Sequence, residues 1–182
     1  MSRYRRSHEG RTFFFTVVTH ERCPILCTDL ARAALRDAIR ETRKSRPFDV
    51  VAFVLLPDYL HTVWELPEGD LDYATRWREV KTRFTRTWTA FESEAGDLSL
   101  SRTKRGERGV WQRRFFEHTI RDERDLRRGV DYVHVNPMKH GLVDRVRDWE
   151  WSTFHRYVRL GEYSPDWGSS ADWYGDEFCD YE

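Results

Sequence analysis

Two short runs carry residue types that could act together on a phosphate. Leu56-Pro57-Asp58-Tyr59-Leu60-His61 sets Tyr59 and His61 two apart, and Asp131-Tyr132-Val133-His134-Val135-Asn136-Pro137 sets Tyr132 and Asn136 four apart. Residues two apart in a strand share a face, as do residues four apart on a helix. His61 offers an imidazole to a divalent ion, Asn136 a hard amide oxygen, and Tyr132 a nucleophilic phenol. Attack of a tyrosine on a phosphodiester would form a covalent phosphotyrosine and free a 3′ hydroxyl, with a metal neutralising and orienting the phosphate. A phenol with a pKa of about 10 needs a proton acceptor or the field of a metal to react at neutral pH. Each residue also has a plain structural use. His61 suits a structural histidine, Tyr132 an ordinary helix-face aromatic, and Asn136 the cap of a short turn from Pro137 to His140, stopped by Gly141.

The elements that must position these groups follow from patterning. Residues 11–19 (RTFFFTVVT) are β-branched and aromatic, which predicts a first strand. Thr28 or Asp29 caps a helix whose apolar side is Leu30, Ala34, Leu35, Ala38, Ile39 and Thr42. Residues 48–56 are almost wholly apolar, the pattern of a central strand buried on both faces. Pro57-Asp58 makes a tight corner, and residues 60–66 return as a strand. A long helix follows Gly69-Asp70, with Tyr73, Trp77, Val80, Phe84 and Trp88 stepping by three or four; Trp77, Phe84 and Trp88 suit core better than platforms for bases. Residues 92–109 read as a loop and 110–120 as a fourth strand. Residues 122–135 form the further, C-terminal helix, opened by acids. The order β-α-β-β-α-β predicts an α+β chain. It is a ferredoxin-like, split β-α-β antiparallel sheet with helices on one face plus an additional C-terminal helix.

Length and composition predict one domain over 1–160 and an acidic tail over 161–182. The formal net charge of zero hides an asymmetry: all 31 basic residues lie in 1–160 against 24 of the 31 acids, and the last 22 residues hold seven carboxylates. A cationic body suits a nucleic-acid partner. The tail either solvates a chain end or lies over the cationic groove as an internal competitor. Cys23, Cys27 and Cys179 form no disulfide framework, which fits a reducing, cytoplasmic setting. No apolar run has the length of a membrane span, and the basic N-terminus lacks the apolar stretch of a secretory signal.

The two runs belong to a longer series. Trp77-Arg78-Glu79-Val80-Lys81-Thr82-Arg83-Phe84 precedes Trp111-Gln112-Arg113-Arg114-Phe115-Phe116-Glu117-His118-Thr119-Ile120-Arg121-Asp122. The tyrosine run then extends through Met138-Lys139-His140-Gly141-Leu142-Val143, and Asp148-Trp149-Glu150-Trp151-Ser152-Thr153-Phe154 follows. With the Leu-Pro-Asp-x-Leu-His corner, this series strongly resembles the REP-associated tyrosine transposases, a branch of the single-tyrosine HUH transposases, from about residue 4 to residue 167. The resemblance implies a metal-dependent single-stranded DNA endonuclease and strand transferase acting on palindromic hairpins. Tyr132 would be its nucleophile, His61 and Asn136 its ligands to Mg²⁺ or Mn²⁺. The same pattern expects a histidine at position 59, where this chain has Tyr59. A neutral phenol is a poor ligand for such ions, so weak metal binding and slow or absent nicking are expected; rescue by Glu117, His118 or His134 has no support from spacing. The alternative is a catalytically silent protein that holds hairpins. An RNA-recognition module is disfavoured because the strands lack its glycine-aromatic signature. For DNA contact the sequence offers Arg5, Arg6, Lys81, Arg83, Arg86, Arg113, Arg114, Lys139 and His140. Monomer and homodimer both stay open.

Overall fold

Strand β1 (Thr12–Val18) alternates its side chains between two apolar layers: Phe13, Phe15 and Val17 enter one, Phe14 the other. This is the structural root of the fold, because apolar side chains on both faces of β1 require cover on both sides of the sheet. The computed structural model describes residues 11–91 and 109–168. Arg5, Arg6, most of the expected loop over 92–109 and the end of the acidic segment lie outside the described residues.

The sheet has the order β2-β3-β1-β4 and is antiparallel throughout, with β2 at Asp49–Leu55, β3 at Tyr59–Glu65 and β4 at Phe116–Thr119. Helices α1 (Asp29–Ser45) and α2 (Tyr73–Phe91) cover the face that holds Phe15 and Trp64. Thr28 caps α1 by accepting from the Ala31 amide, and Ala31, Ala34, Leu35, Ala38 and Thr42 form its buried stripe. On α2, Trp77, Val80, Phe84 and Trp88 are all buried, and Trp77 stacks on Trp64 at 4.1 Å. These aromatics are core.

Helix α3 (Glu123–Lys139), which carries Tyr132, packs on the opposite face against Phe14, Tyr59 and Val63. The expected ferredoxin-like arrangement is found: α1 and α2 lie on one face, and the additional helix after β4, α3, takes the other. The physical reason is the alternation itself, since the even-numbered residues of β1 and the odd-numbered residues of β3 need their own apolar cover.

Three expectations are corrected. β2 is an edge strand, not a central one; its apolar run is explained by the chain that covers it. Trp151 and Thr153 bond its backbone (Leu55 N to Trp151 O, 2.9 Å; Thr153 N to Phe53 O, 2.9 Å), and the Trp149 indole donates to Leu55 O at 3.0 Å. A covered edge is protected from pairing with another chain. β4 spans only Phe116–Thr119, because after Trp111 bridges Thr19 the chain leaves the sheet and rejoins it at Phe116. Finally, α3 continues through Asn136 and Pro137 to Lys139. A proline in the last turn forfeits a single helical bond, and burial of Asn136, Pro137 and Met138 outweighs it.

Past α4 (Phe154–Arg159), residues expected to begin the acidic tail are packed: Tyr163 stacks on Trp167 at 4.2 Å and lies against Phe154. Deletion from residue 161 would remove these rings, so a test of the tail should begin at 169. The Tyr163 hydroxyl also donates to Asp131, yet burial dominates and pushes the Asp131 pKa up to about 6. A buried carboxyl that prefers its proton in the folded state weakens the fold as pH rises from its unfolded pKa of about 4 toward 6. Wild type is expected to lose thermal stability relative to Asp131→Asn across that interval. Parallel melting curves from pH 4 to 7 would refute the assignment.

Candidate functional site

β3 opens at the Pro57-Asp58 corner, closed by the Leu56 amide bonding to Tyr59 O at 2.8 Å, so Tyr59 and His61 both face α3. Register places Thr16 of β1 opposite His61, and its hydroxyl lies 2.8 Å from His61 Nδ1. Phe14 stacks on the imidazole with ring centroids 5.4 Å apart. From α3, the Tyr132 ring packs edge-on against His61 with centroids 5.2 Å apart. The phenol on the late helix and the imidazole on the inner strand are thus neighbours.

Tyr59 completes the group. Its ring sits 5.0 Å from that of His61, and its hydroxyl donates to Asn136 Oδ1 at 2.9 Å. Asn136 is fully buried, and its Nδ2 has no hydrogen-bond partner among the described residues. Burial, reinforced by His140 and Lys139, lowers the His61 pKa to about 3, so the imidazole is neutral at physiological pH. Burial raises the Tyr132 phenol, and the Asn136 side chain partly offsets that rise. Burial likewise raises the Tyr59 phenol.

Two cations flank the two phenols together with His140, whose pKa burial and the neighbouring Lys139 and Arg22 push below the usual imidazole range. The Lys139 ammonium lies 5.1 Å from the Tyr132 ring centre, the His140 ring 6.0 Å from that of Tyr59, and the Arg22 guanidinium 5.6 Å from it. Arg22 also pairs with Asp58 at 3.0 Å. Nothing in the residue types marks Arg22 or Thr16 as site residues. Thr16 is placed by strand register, and Arg22 by a turn in which Glu21 and Arg22 both take positive φ.

The other residues named from the sequence lie apart. Arg83 and Arg86 are exposed on α2, across the sheet. Lys81, on the same helix, donates to Gln112 O and lies over the Trp111 and Phe115 rings; burial lowers its pKa to about 8. Arg113 and Arg114 are exposed ahead of β4. Glu117 faces α2 and accepts from the Tyr73 hydroxyl, His118 pairs with Asp125 at 3.0 Å, and His134 is fixed by Thr153 at 2.8 Å. None of these three reaches the His61 group.

A seat for a hard divalent ion needs several oxygen or nitrogen lone pairs converging on one point. Among the described residues no three His, Cys, Asp or Glu side chains converge in that way. The amide oxygen that could help already accepts from Tyr59. As arranged, the donors of this site do not fit Mg²⁺ or Mn²⁺.

No family model matches the chain. The chain is 42% identical over 173 residues to a REP-associated tyrosine transposase of Escherichia coli K12, covering 94% of this chain and 93% of that one. The family is therefore settled. The chain belongs to the REP-associated tyrosine transposases. A Haemophilus influenzae protein described in the same terms is 43% identical over 173 residues, covering 94% of this chain and 96% of its own. A solved REP-associated tyrosine transposase bound to a REP hairpin superposes with a TM-score of 0.72 at 43% identity, covering 92% of this chain and 91% of that one. Within this transposase fold the His61–Tyr132 pair lies between the sheet and α3. No helix among the described residues is long and apolar enough to cross a membrane.

Proposed function

We propose that this chain binds palindromic hairpin DNA with its single-stranded flank on the α3 side of the sheet, and that its nicking centre is throttled by Tyr59. The observation that carries the reading is the Tyr59–Asn136 hydrogen bond, which engages the hard amide oxygen of Asn136. Membership of the transposase family and the neighbour bound to a REP hairpin support hairpin DNA as the partner. A divalent ion, when bound, would neutralise the phosphate and orient it in line. The donors described above make such binding weak.

Nicking stays chemically conceivable, since Tyr132 and His61 remain adjacent. The Tyr132 oxygen would bond to phosphorus, the bond from phosphorus to the 3′ oxygen would break, and the phenolic proton would pass, overall, to that leaving oxygen. A buried phenol with a raised pKa makes this slow. The expected behaviour is tight, hairpin-selective binding with little covalent product. Gel-shift titration with a labelled hairpin and a scrambled strand of equal length tests it, with denaturing gels to detect adduct in Mn²⁺. Equal affinity for both DNAs would reject hairpin recognition. Rapid adduct formation that disappears in Tyr132→Phe would reject the throttle.

A further inference from the structure

A single rung of the sheet leads from His61 to an exposed aromatic. Thr16 on β1 lies opposite His61 on β3, and Phe116 on β4 lies opposite Thr16. Directly paired residues of antiparallel strands project to the same side, so Phe116 stands on the α3 face with Thr16 and His61. Adjacent strands are about 4.8 Å apart, which puts Phe116 roughly 10 Å from His61 along the rung. The next residue of β4 on that face, His118, pairs with Asp125 of α3 at 3.0 Å. Phe116 has no such cover. No strand lies beyond β4 among the described residues, and Phe116 is 37% exposed.

Exposed apolar residues need no explanation when they are scattered singly over turns and helix ends. Leu71, Leu142 and Leu160 are of that kind, and Phe91 ends α2. Phe116 differs in being an aromatic ring on a strand, braced from behind by the site itself. Its ring meets Phe14 edge-to-face, with centroids 6.2 Å apart and planes at 72°. Phe14 in turn stacks on His61 at 5.4 Å and meets Tyr132 edge-on at 5.8 Å. One buried ring thus separates Phe116 from the nucleophilic phenol. Arg113 and Arg114, both exposed, precede Phe116 in the chain. A braced ring approached past two guanidiniums suits a nucleobase with its phosphates better than an apolar peptide.

We propose that Phe116 is the stacking platform for an unpaired base of the single-stranded flank, the base next to the phosphate presented to Tyr132. The proposal rests on the hairpin-binding reading above and goes beyond it by naming the residue that sets the register of the flank. A stacked base fixes which phosphate reaches Tyr132, and it does so for any of the four bases, because every base offers a π face. Phe116 holds the base, and the reacting atoms stay with Tyr132.

The test uses the full chain and fluorescence anisotropy with a labelled hairpin carrying a single-stranded flank. In a set of otherwise identical probes, one flank nucleotide at a time is abasic, so sugar and phosphate stay while the base is lost. With wild type, one abasic position is expected to weaken binding by roughly 10-fold, the effect of losing a base stacked on an aromatic ring. Phe116→Ala should weaken binding of the intact probe by a similar factor and lose nothing further at that one position. Phe116→Trp should keep the wild-type pattern. No charge is removed, so the slope of log affinity against log salt should stay the same in every variant. If Phe116→Ala melts lower than wild type, Phe116→Leu keeps bulk against Phe14 without a π face and should give the same result. Wild-type affinity in both Phe116→Ala and Phe116→Leu, or an abasic penalty that persists undiminished in them, would overturn the platform. A scrambled strand of equal length bound as tightly as the hairpin, with the penalty still abolished by Phe116→Ala, would instead reject hairpin selectivity and keep the platform.

Discussion

Tyr59→His is expected to raise the rate of covalent adduct formation with hairpin DNA in Mn²⁺ by ~100-fold or more. The substitution removes the hydroxyl that engages Asn136 Oδ1 and adds an imidazole two residues from His61, on the same face of β3. One side chain thus frees an oxygen ligand and supplies a nitrogen ligand. If a bound cation contributes about 3 kcal/mol to the transition state, the rate changes by roughly two orders of magnitude. The gain should vanish in EDTA and in the double variant with Tyr132→Phe. No gain in adduct, from a variant that melts like wild type and captures Mn²⁺, would show that something other than the missing ligand limits the reaction.

The second large effect concerns the frame. Arg76, with only 1% of its side chain exposed, donates to Asp70 at 2.6 and 3.1 Å and to the carbonyls of Asp72 and Pro47 at 2.9 Å. It ties the start of α2 to the chain that leads into β2. Asp70→Ala strips the charge partner from a buried guanidinium; because the Asp70 carboxylate is itself 37% exposed, solvent screening discounts the cost to about 2 kcal/mol. For a chain of this size that corresponds to a fall in melting temperature of roughly 4–8 °C. Adding Arg76→Met should recover most of it, since the cost is the stranded charge. Arg76 holds the Asp70 carboxyl below the usual carboxylate range, so wild type sheds part of this stabilisation as pH falls below about 4, while Asp70→Ala does not. A shift of a degree or two in the single variant would contradict this account.

The chain order of elements was legible because each strand and helix announces itself by period. Trp77, Val80, Phe84 and Trp88 mark α2 at helical spacing, and Thr28 marks the start of α1. The candidate site was legible in halves: spacing put Tyr59 with His61 and Tyr132 with Asn136. What joins the halves depends on long-range register. No local pattern states that Thr16 lies opposite His61, or that the Tyr59 hydroxyl reaches across 77 positions to Asn136. The edge position of β2 was illegible for the same reason, since its cover comes from residues near 150. Arg22 was invisible because non-glycine residues at positive φ leave no signature in residue type. Pro137 suggested a helix end that burial of its neighbours overrules.

The central claim is that the Tyr59 phenol stands where a cation would, bound to Asn136. Titration of Mn²⁺ into wild type and Tyr59→His, followed by electron paramagnetic resonance of the free ion, tests it most directly. Wild type should leave the free-ion signal at full strength while Tyr59→His depletes it in proportion to protein. Depletion by wild type that Asn136→Ala abolishes would place the ion on the amide oxygen after all, and would contradict the account.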